Sequence, residues 1–307
     1  MTSLDGRAVV VTGAGQGLGR AFARHAAGAG AAVVVNDVDG DLARETAAAI
    51  TSDGGAAVVS AHSVADAEQA QALVDLCTSE YGRLDGLVNN AGLNYAVLPW
   101  EEDHRLVREL VEVNLLGTIY TGLAALRAMG RGGSIVNISS GAALGQRSRG
   151  TYAATKGAVA SLTYSWALDL EARGIRVNAV CPLARTRMVL GCERSQRNCP
   201  PDRTPERVAP LVSFLLGDRS CGVTGQVIRC NGPQLHIVGQ PYFKAPVLER
   251  NTWDDESVAR AFDEVFGAHL EPYGLEKRLP PTLRGWLEPV RVPADLEVED
   301  HATVGEG

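Results

Sequence analysis

Tyr152 and Lys156 place a phenol and an ammonium four residues apart in Tyr152-Ala-Ala-Thr-Lys156, a run that reads as helix. Positions i and i+4 share a helix face. A cation fixed beside a phenol stabilises its ionised form, which would draw a solution pKa of about 10 toward the working pH and make Tyr152 a proton donor and acceptor. Lysine is scarce in this chain: of 29 Lys and Arg residues only Lys156, Lys244 and Lys277 are lysine. The same spacing also arises on solvated helix surfaces, so the chemistry depends on what the remaining elements bring around the pair.

The first of those elements is a phosphate cradle. Residues 7 to 12 form a short apolar, β-branched run, followed by Gly13, Gly15, Gln16, Gly17, Leu18 and Gly19 at the start of a helix continuing through Ala29. Strand, glycine turn and helix in that order let backbone N–H groups approach a diphosphate, with the positive end of the helix dipole behind them. A second apolar strand, residues 32 to 36, ends at Asp37, eighteen residues beyond Gly19. A carboxylate there accepts hydrogen bonds from the adenosine ribose and repels a 2′-phosphate, so NAD is expected rather than NADP. Gln16 adds no compensating positive charge. The plainer reading is that Asp37 opens a solvated loop with Asp39 and Asp41.

Helical and strand patterns then alternate: helix 41–52, strand 56–60, helix 66–81, strand 84–89 ending in Asn89-Asn90-Ala91-Gly92, helix 101–129, strand 134–138 ending in Ser139-Ser140, a helix from Tyr152 to about Arg173, and strand 175–180 ending in Cys181-Pro182. Such alternation with short connections predicts an α/β fold: one Rossmann-type, doubly wound parallel sheet of about seven strands with helices on both faces. Asn114 sits amid apolar neighbours in a helical pattern, where a polar side chain must find partners. It reads either as a backbone cap or as a residue that holds water in an active site.

TGAGQGLG, NNAG, Asn114, a serine at the end of strand five, YAATK and the proline after strand six occur in an order and spacing that resemble the classical short-chain dehydrogenase/reductase family, over residues 5 to about 232. The segment 177–188 and the Val35-Asn36-Asp37 strand end resemble more narrowly the (3R)-hydroxyacyl-CoA dehydrogenase branch. The resemblance implies an NAD-dependent oxidoreductase that interconverts a secondary alcohol and a ketone, a small-molecule substrate. Tyr152 would move the hydroxyl proton, Lys156 would hold the nicotinamide ribose, Ser139 or Ser140 would orient the substrate oxygen, and Asn114 would keep a relay water. It further implies cofactor contacts from Ser63, Val64, Asn90, Ala91, Gly92, Pro182 and Thr186, besides the glycine turn and Asp37. Family spacing, thirteen residues before the tyrosine, selects Ser139, whereas strand register favours Ser140. Three motifs depart from the pattern: His62-Ser63-Val64 stands where an aspartate is common, Pro182-Leu183 replaces Pro-Gly, and Asn231-Gly232-Pro233 replaces Asp-Gly-Gly.

On this reading residues 1–232 are the catalytic domain, with 183–205 as a substrate lid whose Arg194, Arg197 and Arg203, with Arg185 and Arg187, are solvated or meet an anionic substrate. Residues 233–307 form an extension with one amphipathic helix, 254–270, bearing Val258, Phe262, Val265 and Phe266 on one face, and an acidic tail containing Glu297, Glu299, Asp300 and Glu306. Pro280, Pro281, Pro289 and Pro293 argue against a second compact domain. A net charge of -7 disfavours nucleic acid or an anionic membrane as partner. No apolar run reaches spanning length, Arg7 leads straight into a strand rather than a signal peptide, and a cytoplasmic protein is expected. Six cysteines without CxxC pairing or a histidine cluster predict no metal site. The family resemblance implies pairing of subunits through helices 101–129 and 151–173, whose small residues (Ala124, Ala125, Ala158, Ala160) suit close packing, and a homo-tetramer is expected, with a dimer as the second choice. Two other classes stay open: an NAD-using isomerase or epimerase, and a dinucleotide-binding sensor or scaffold without turnover.

Overall fold

A computed structural model describes residues 4–190, 196, 199–275 and 277. Strands of four to seven residues form where the sequence is rich in valine and other apolar residues: β1 (Ala8–Val11), β2 (Ala32–Asn36), β3 (Ala56–Ser60), β4 (Gly86–Asn89), β5 (Ser134–Ile138), β6 (Arg176–Pro182) and β7 (Val227–Cys230). They make one parallel sheet, and an eighth strand, β8 (Leu235–Ile237), runs antiparallel along the β7 edge, giving the order β3-β2-β1-β4-β5-β6-β7-β8. The expected seven strands are therefore eight. Beyond Gly232 the chain turns back on itself, with the Asn231 side chain bonding Gln234 at its amide and its own carboxamide.

The inner strands are buried on both faces, as a covered parallel sheet requires, while β3 and β8 at the two edges are more open. The period of two divides their side chains between two cores. Val9, Val11, Val33 and Val35 pack with Phe22 of α1 (Gly17–Gly28), Ile50 of α2 (Gly40–Ser52), and Leu215 and Leu216 of the helix Ala209–Leu216. Val10 and Val34 face the opposite way, toward Leu73 of α3 (Ala67–Tyr81) and Ala124 and Ala125 of α5 (Gly117–Ala128). Ala124 and Ala125 thus belong to the core of the single chain and not to an open helix face. Asp39 and Asp66 cap α2 and α3 by accepting from backbone N–H groups of the first turn.

The long helical pattern of residues 101–129 is interrupted. After α4 (His104–Leu110), residues Val111–Leu116 form a π turn before α5 resumes, and Asn114 sits within that turn. Bulges of this kind recur at functional sites because they re-aim one residue without ending the helix. The phenol-bearing helix is α6 (Gly150–Asp169), and a 3₁₀ turn, Glu171–Arg173, follows it. Strand order reverses at β1, between β2 and β4, so the crevice for a ligand lies beyond the carboxyl ends of these strands.

One compact unit ends at Gln240 and a second begins at Pro241. In the second, Asp254 and Ser257 form a capping box that starts a helix at Asp255. The helix stops at Glu264, short of the expected residue 270, because Val265 leaves helical geometry and Phe266–His269 form a 3₁₀ turn. The apolar face predicted to be covered is half open within this unit, with Val258 42% and Phe262 40% exposed, and Phe262 stacks edge-on against Phe266 at 5.6 Å. The acidic tail, Pro280, Pro281, Pro289, Pro293, Arg194 and Arg197 lie outside the described residues.

Candidate active site

The glycine turn is built so that only glycine fits. Gly13 has φ +60° and Gly17 φ +56°, and a Cβ added at Gly19 would stand 2.1 Å from the Gly13 carbonyl oxygen. Asn90 ties this turn to the end of β4, its Nδ2 donating to the carbonyls of Thr12 and Gly13 at 2.9 Å each. Thr12 completes the tie by accepting from the N–H groups of Asn90 and Ala91 at 3.0 Å. Thr12 carries no motif signal, being an ordinary strand-end threonine until its partners are seen. Gln16 begins α1 without a side-chain cap, so the first N–H groups of that helix face outward for an anion. Asp37 orders the same turn, accepting from Gly15 N–H at 3.0 Å and from Asp39 N–H at 3.1 Å. Thr186 closes in from the other side, its Cγ2 3.5 Å from where a Gly17 Cβ would be. These features fit the diphosphate and ribose of a dinucleotide.

On the adenosine side, Val64 is buried against Gly117, while Ser63 Oγ accepts from Ala65 N–H at 3.3 Å and its own N–H donates to Gln69 at 2.9 Å. His62, standing where an aspartate is common, is held by Ser60 Oγ at 3.0 Å from Nδ1 and by Asn36, which donates to its carbonyl at 2.8 Å.

The other half of the crevice gathers Tyr152, Lys156, Asn114 and the two serines. Lys156 is 4% exposed and its Nζ donates to the Ile138 carbonyl at 2.8 Å. It lies under the backbone at Gly92, where an added Cβ would be 3.4 Å from Nζ and 3.2 Å from Asn114 Oδ1. Asn114 is fully buried and clamps Leu93, accepting from its N–H at 2.7 Å and donating to its carbonyl at 2.9 Å, with a further bond to Thr155 Oγ1 at 3.3 Å. Its side chain therefore fixes the loop after NNAG.

The two serines part company at the strand end. Ser139 Oγ donates to the Lys156 carbonyl at 2.8 Å and contacts the Cys181 thiol. Ser140 caps the 3₁₀ turn Gly141–Leu144, its Oγ accepting from Ala142 N–H at 3.1 Å, and it lies beside the Tyr152 phenol, which it draws downward. Pro182 ends β6 opposite Cys230, and Leu183 N–H bonds the Cys230 carbonyl at 2.9 Å.

Electrostatics here differ from the sequence expectation. Burial raises the Tyr152 phenol above its ordinary value, with the Ser140 bond and the charge of Arg149 pulling the other way. Burial also lowers the Lys156 ammonium to about 8. The expected lowering of the phenol by Lys156 is absent: Nζ is 6.0 Å from the ring centroid and is spent on Ile138. Desolvation disfavours both ionised forms and outweighs the attraction at that distance. Within residues 183–205, Arg185 is engaged internally, bonding the Cys199 carbonyl at 3.2 Å and the Arg203 carbonyl through its N–H at 2.7 Å, and Arg187 is exposed. Among the described residues no group of His, Cys, Asp and Glu could hold a metal, and no helix is long and apolar enough to cross a membrane.

Comparison with known proteins agrees with this geometry. Residues 13–232 match the family model described as enoyl-(acyl carrier protein) reductase. The chain is 40% identical over 238 residues to cis-4-hydroxycyclohexanecarboxylate dehydrogenase of Sinomonas cyclohexanicum, covering 74% of this chain and 95% of that protein. It is 33% identical over 286 residues to the hydroxyacyl-CoA dehydrogenase ChsB1 of Mycobacterium tuberculosis, covering 86% of this chain and 90% of that one. The crystal structure of a short chain dehydrogenase from Mycobacterium avium superposes with a TM-score of 0.78 at 31% identity, covering 91% of this chain and 98% of that chain. With the glycine turn, NNAG and the Tyr152–Lys156 helix converging on one crevice, the chain belongs to the classical short-chain dehydrogenase/reductase family and is an oxidoreductase of the alcohol dehydrogenase or ketoreductase kind.

Proposed function

We propose that this oxidoreductase uses NAD to interconvert a secondary alcohol and a ketone, with Tyr152, Lys156, Ser140 and Asn114 as its working residues. The observation that carries the reading is the gathering of buried Tyr152, Lys156 and Asn114 around Leu93 and Gly92, with Ser140 beside the phenol, so that two hydroxyls can meet one substrate oxygen. When bound, the nicotinamide supplies the hydride acceptor or donor. Tyr152 takes the hydroxyl proton in oxidation and returns it in reduction. Ser140, and not Ser139, orients the substrate oxygen, because Ser139 is committed to the Lys156 carbonyl. Lys156 sits where it would hold a ribose below Gly92 and supply positive charge near the phenol. Asn114 contributes by fixing the loop through Leu93, and any relay water would use its backbone rather than its occupied carboxamide.

The test is absorbance of reduced cofactor across a panel of secondary alcohols. Formation with at least one of them is the expected result, and cofactor binding without any turnover would overturn the reading. The free cysteines Cys77, Cys181, Cys199, Cys221 and Cys230 support a reducing compartment, hence the cytoplasm.

We also hold to a homo-oligomer, a tetramer before a dimer. Its support shifts from Ala124 and Ala125, which are core, to Leu123 and Leu168, 40% and 76% exposed on α5 and α6. Large apolar side chains left open on adjacent helices call for a partner surface. Light scattering at micromolar protein should give a multiple of 32.4 kDa, and a monomeric mass would remove this proposal.

A further inference from the structure

His62 stands at the adenosine end of the crevice. The glycine turn follows β1, and Lys156 with Gly92 lies on the β4 and β5 side, so the other nucleoside of a dinucleotide runs over the carboxyl ends of β2 and β3. His62 comes two residues after β3 and is tied to the strand end that bears Asp37. Its carbonyl accepts from Asn36 Nδ2 at 2.8 Å, and the Asp37 N–H donates to the Ser60 carbonyl at 3.1 Å. Next to it, Ala61 Cβ is 3.5 Å from where a Gly40 Cβ would be, and Val64 packs on Gly117. The residue is half-buried, so it is open to a ligand lying across these strand ends.

The surrounding bonds decide which ring nitrogen carries the proton. Ser60 Oγ receives Asn36 Nδ2 at 3.2 Å and the His62 N–H at 3.4 Å, which occupies both of its lone pairs. Its own proton is left for His62 Nδ1, 3.0 Å away. With Nδ1 accepting, the neutral imidazole carries its proton on Nε2. Among the described residues that Nε2–H has no hydrogen-bond partner. A carboxylate in this place would offer acceptors alone, whereas this imidazole offers a donor.

We propose that His62 Nε2–H donates to the six-position edge of the purine, so that this chain binds a 6-oxopurine dinucleotide at least as tightly as the adenine one. This rests on the dinucleotide reading above. The 6-amino group of adenine is itself a donor, and two donors set face to face leave a bond unmade. A 6-oxo group accepts from Nε2–H directly.

Calorimetric titration of the full chain with NAD and with nicotinamide hypoxanthine dinucleotide tests this without turnover. The native chain should bind the hypoxanthine form with a Kd equal to or below that of NAD. His62→Asp exchanges the donor for an acceptor, and should shift the ratio of the two Kd values toward NAD by about tenfold. His62→Ala, which stands in should the aspartate variant fail to fold, should weaken the hypoxanthine form by about threefold or more and NAD less. A native chain that binds NAD severalfold tighter overturns the proposal, as does a ratio that neither substitution moves. Binding of neither dinucleotide would overturn the dinucleotide reading itself and the proposal with it.

Discussion

Tyr152→Phe is expected to lower turnover by roughly 10²-fold or more while leaving cofactor affinity intact, because it removes one oxygen and nothing else from a 9% exposed ring. The ring still packs on Leu110 and Ala142, so the melting temperature should move little. The pH dependence gives a second readout with a definite sign. Alcohol oxidation needs the phenol as a base, so its kcat/KM should rise with pH toward the raised phenol pKa. Ketone reduction needs the phenol as an acid, and its kcat/KM should fall over the same range. Ser140→Ala removes a bond that favours the phenolate and should push the oxidation profile to higher pH. Ser139→Ala should leave the profile where it is, since that hydroxyl serves the Lys156 carbonyl. Undiminished turnover in Tyr152→Phe would end the assignment, and an identical profile shift in both serine variants would end the choice between them.

The choice between the serines also shows where sequence reading reaches its limit. Strand periodicity places Val136 and Ile138 in one core and Ile135 in the other, and a one-residue slip would exchange the two faces. Past the strand end no such penalty acts. Ser139 and Ser140 are the same residue type, and the 3₁₀ turn at Gly141 decides which one faces Tyr152. The glycine turn was legible for the opposite reason: positive φ at Gly13 and the contact at Gly19 leave no other residue type room. Sign errors arise where burial sets the answer. Spacing reveals that Lys156 neighbours Tyr152, but not that the phenol is itself buried, which is what raises it, nor that the ammonium is bonded to Ile138. Thr12 has no sequence signature, since its interest lies in long-range partners gained on folding. The tail pattern foretold a helix and its cap region but not its end, because the apolar spacing through Phe266 continues past the point where the backbone at Val265 leaves the helix.

Asp37 should give the second large effect, a preference for NAD over NADP of about 10²-fold or more in kcat/KM. Its carboxylate follows β2 directly and is drawn onto the glycine turn by Gly15 N–H at 3.0 Å, which puts it where the adenosine ribose of a dinucleotide would lie. A 2′-phosphate at that point would be set against it in a partly desolvated site, and like charges so close cost on the order of a few kcal/mol. Simple truncation would confuse two roles, since Asp37→Ala also releases Gly15 and loosens the cradle for either cofactor. Asp37→Asn separates them: its amide oxygen can still accept from Gly15 N–H, while the charge is gone. The expected result is a fall of about tenfold or more in the NAD-to-NADP ratio, arising mainly from better use of NADP, with NAD affinity changed far less. Measuring kcat/KM for both cofactors with one alcohol suffices. Equal use of NAD and NADP by the native chain would show that the carboxylate serves only to hold the turn, and that cofactor choice is made elsewhere.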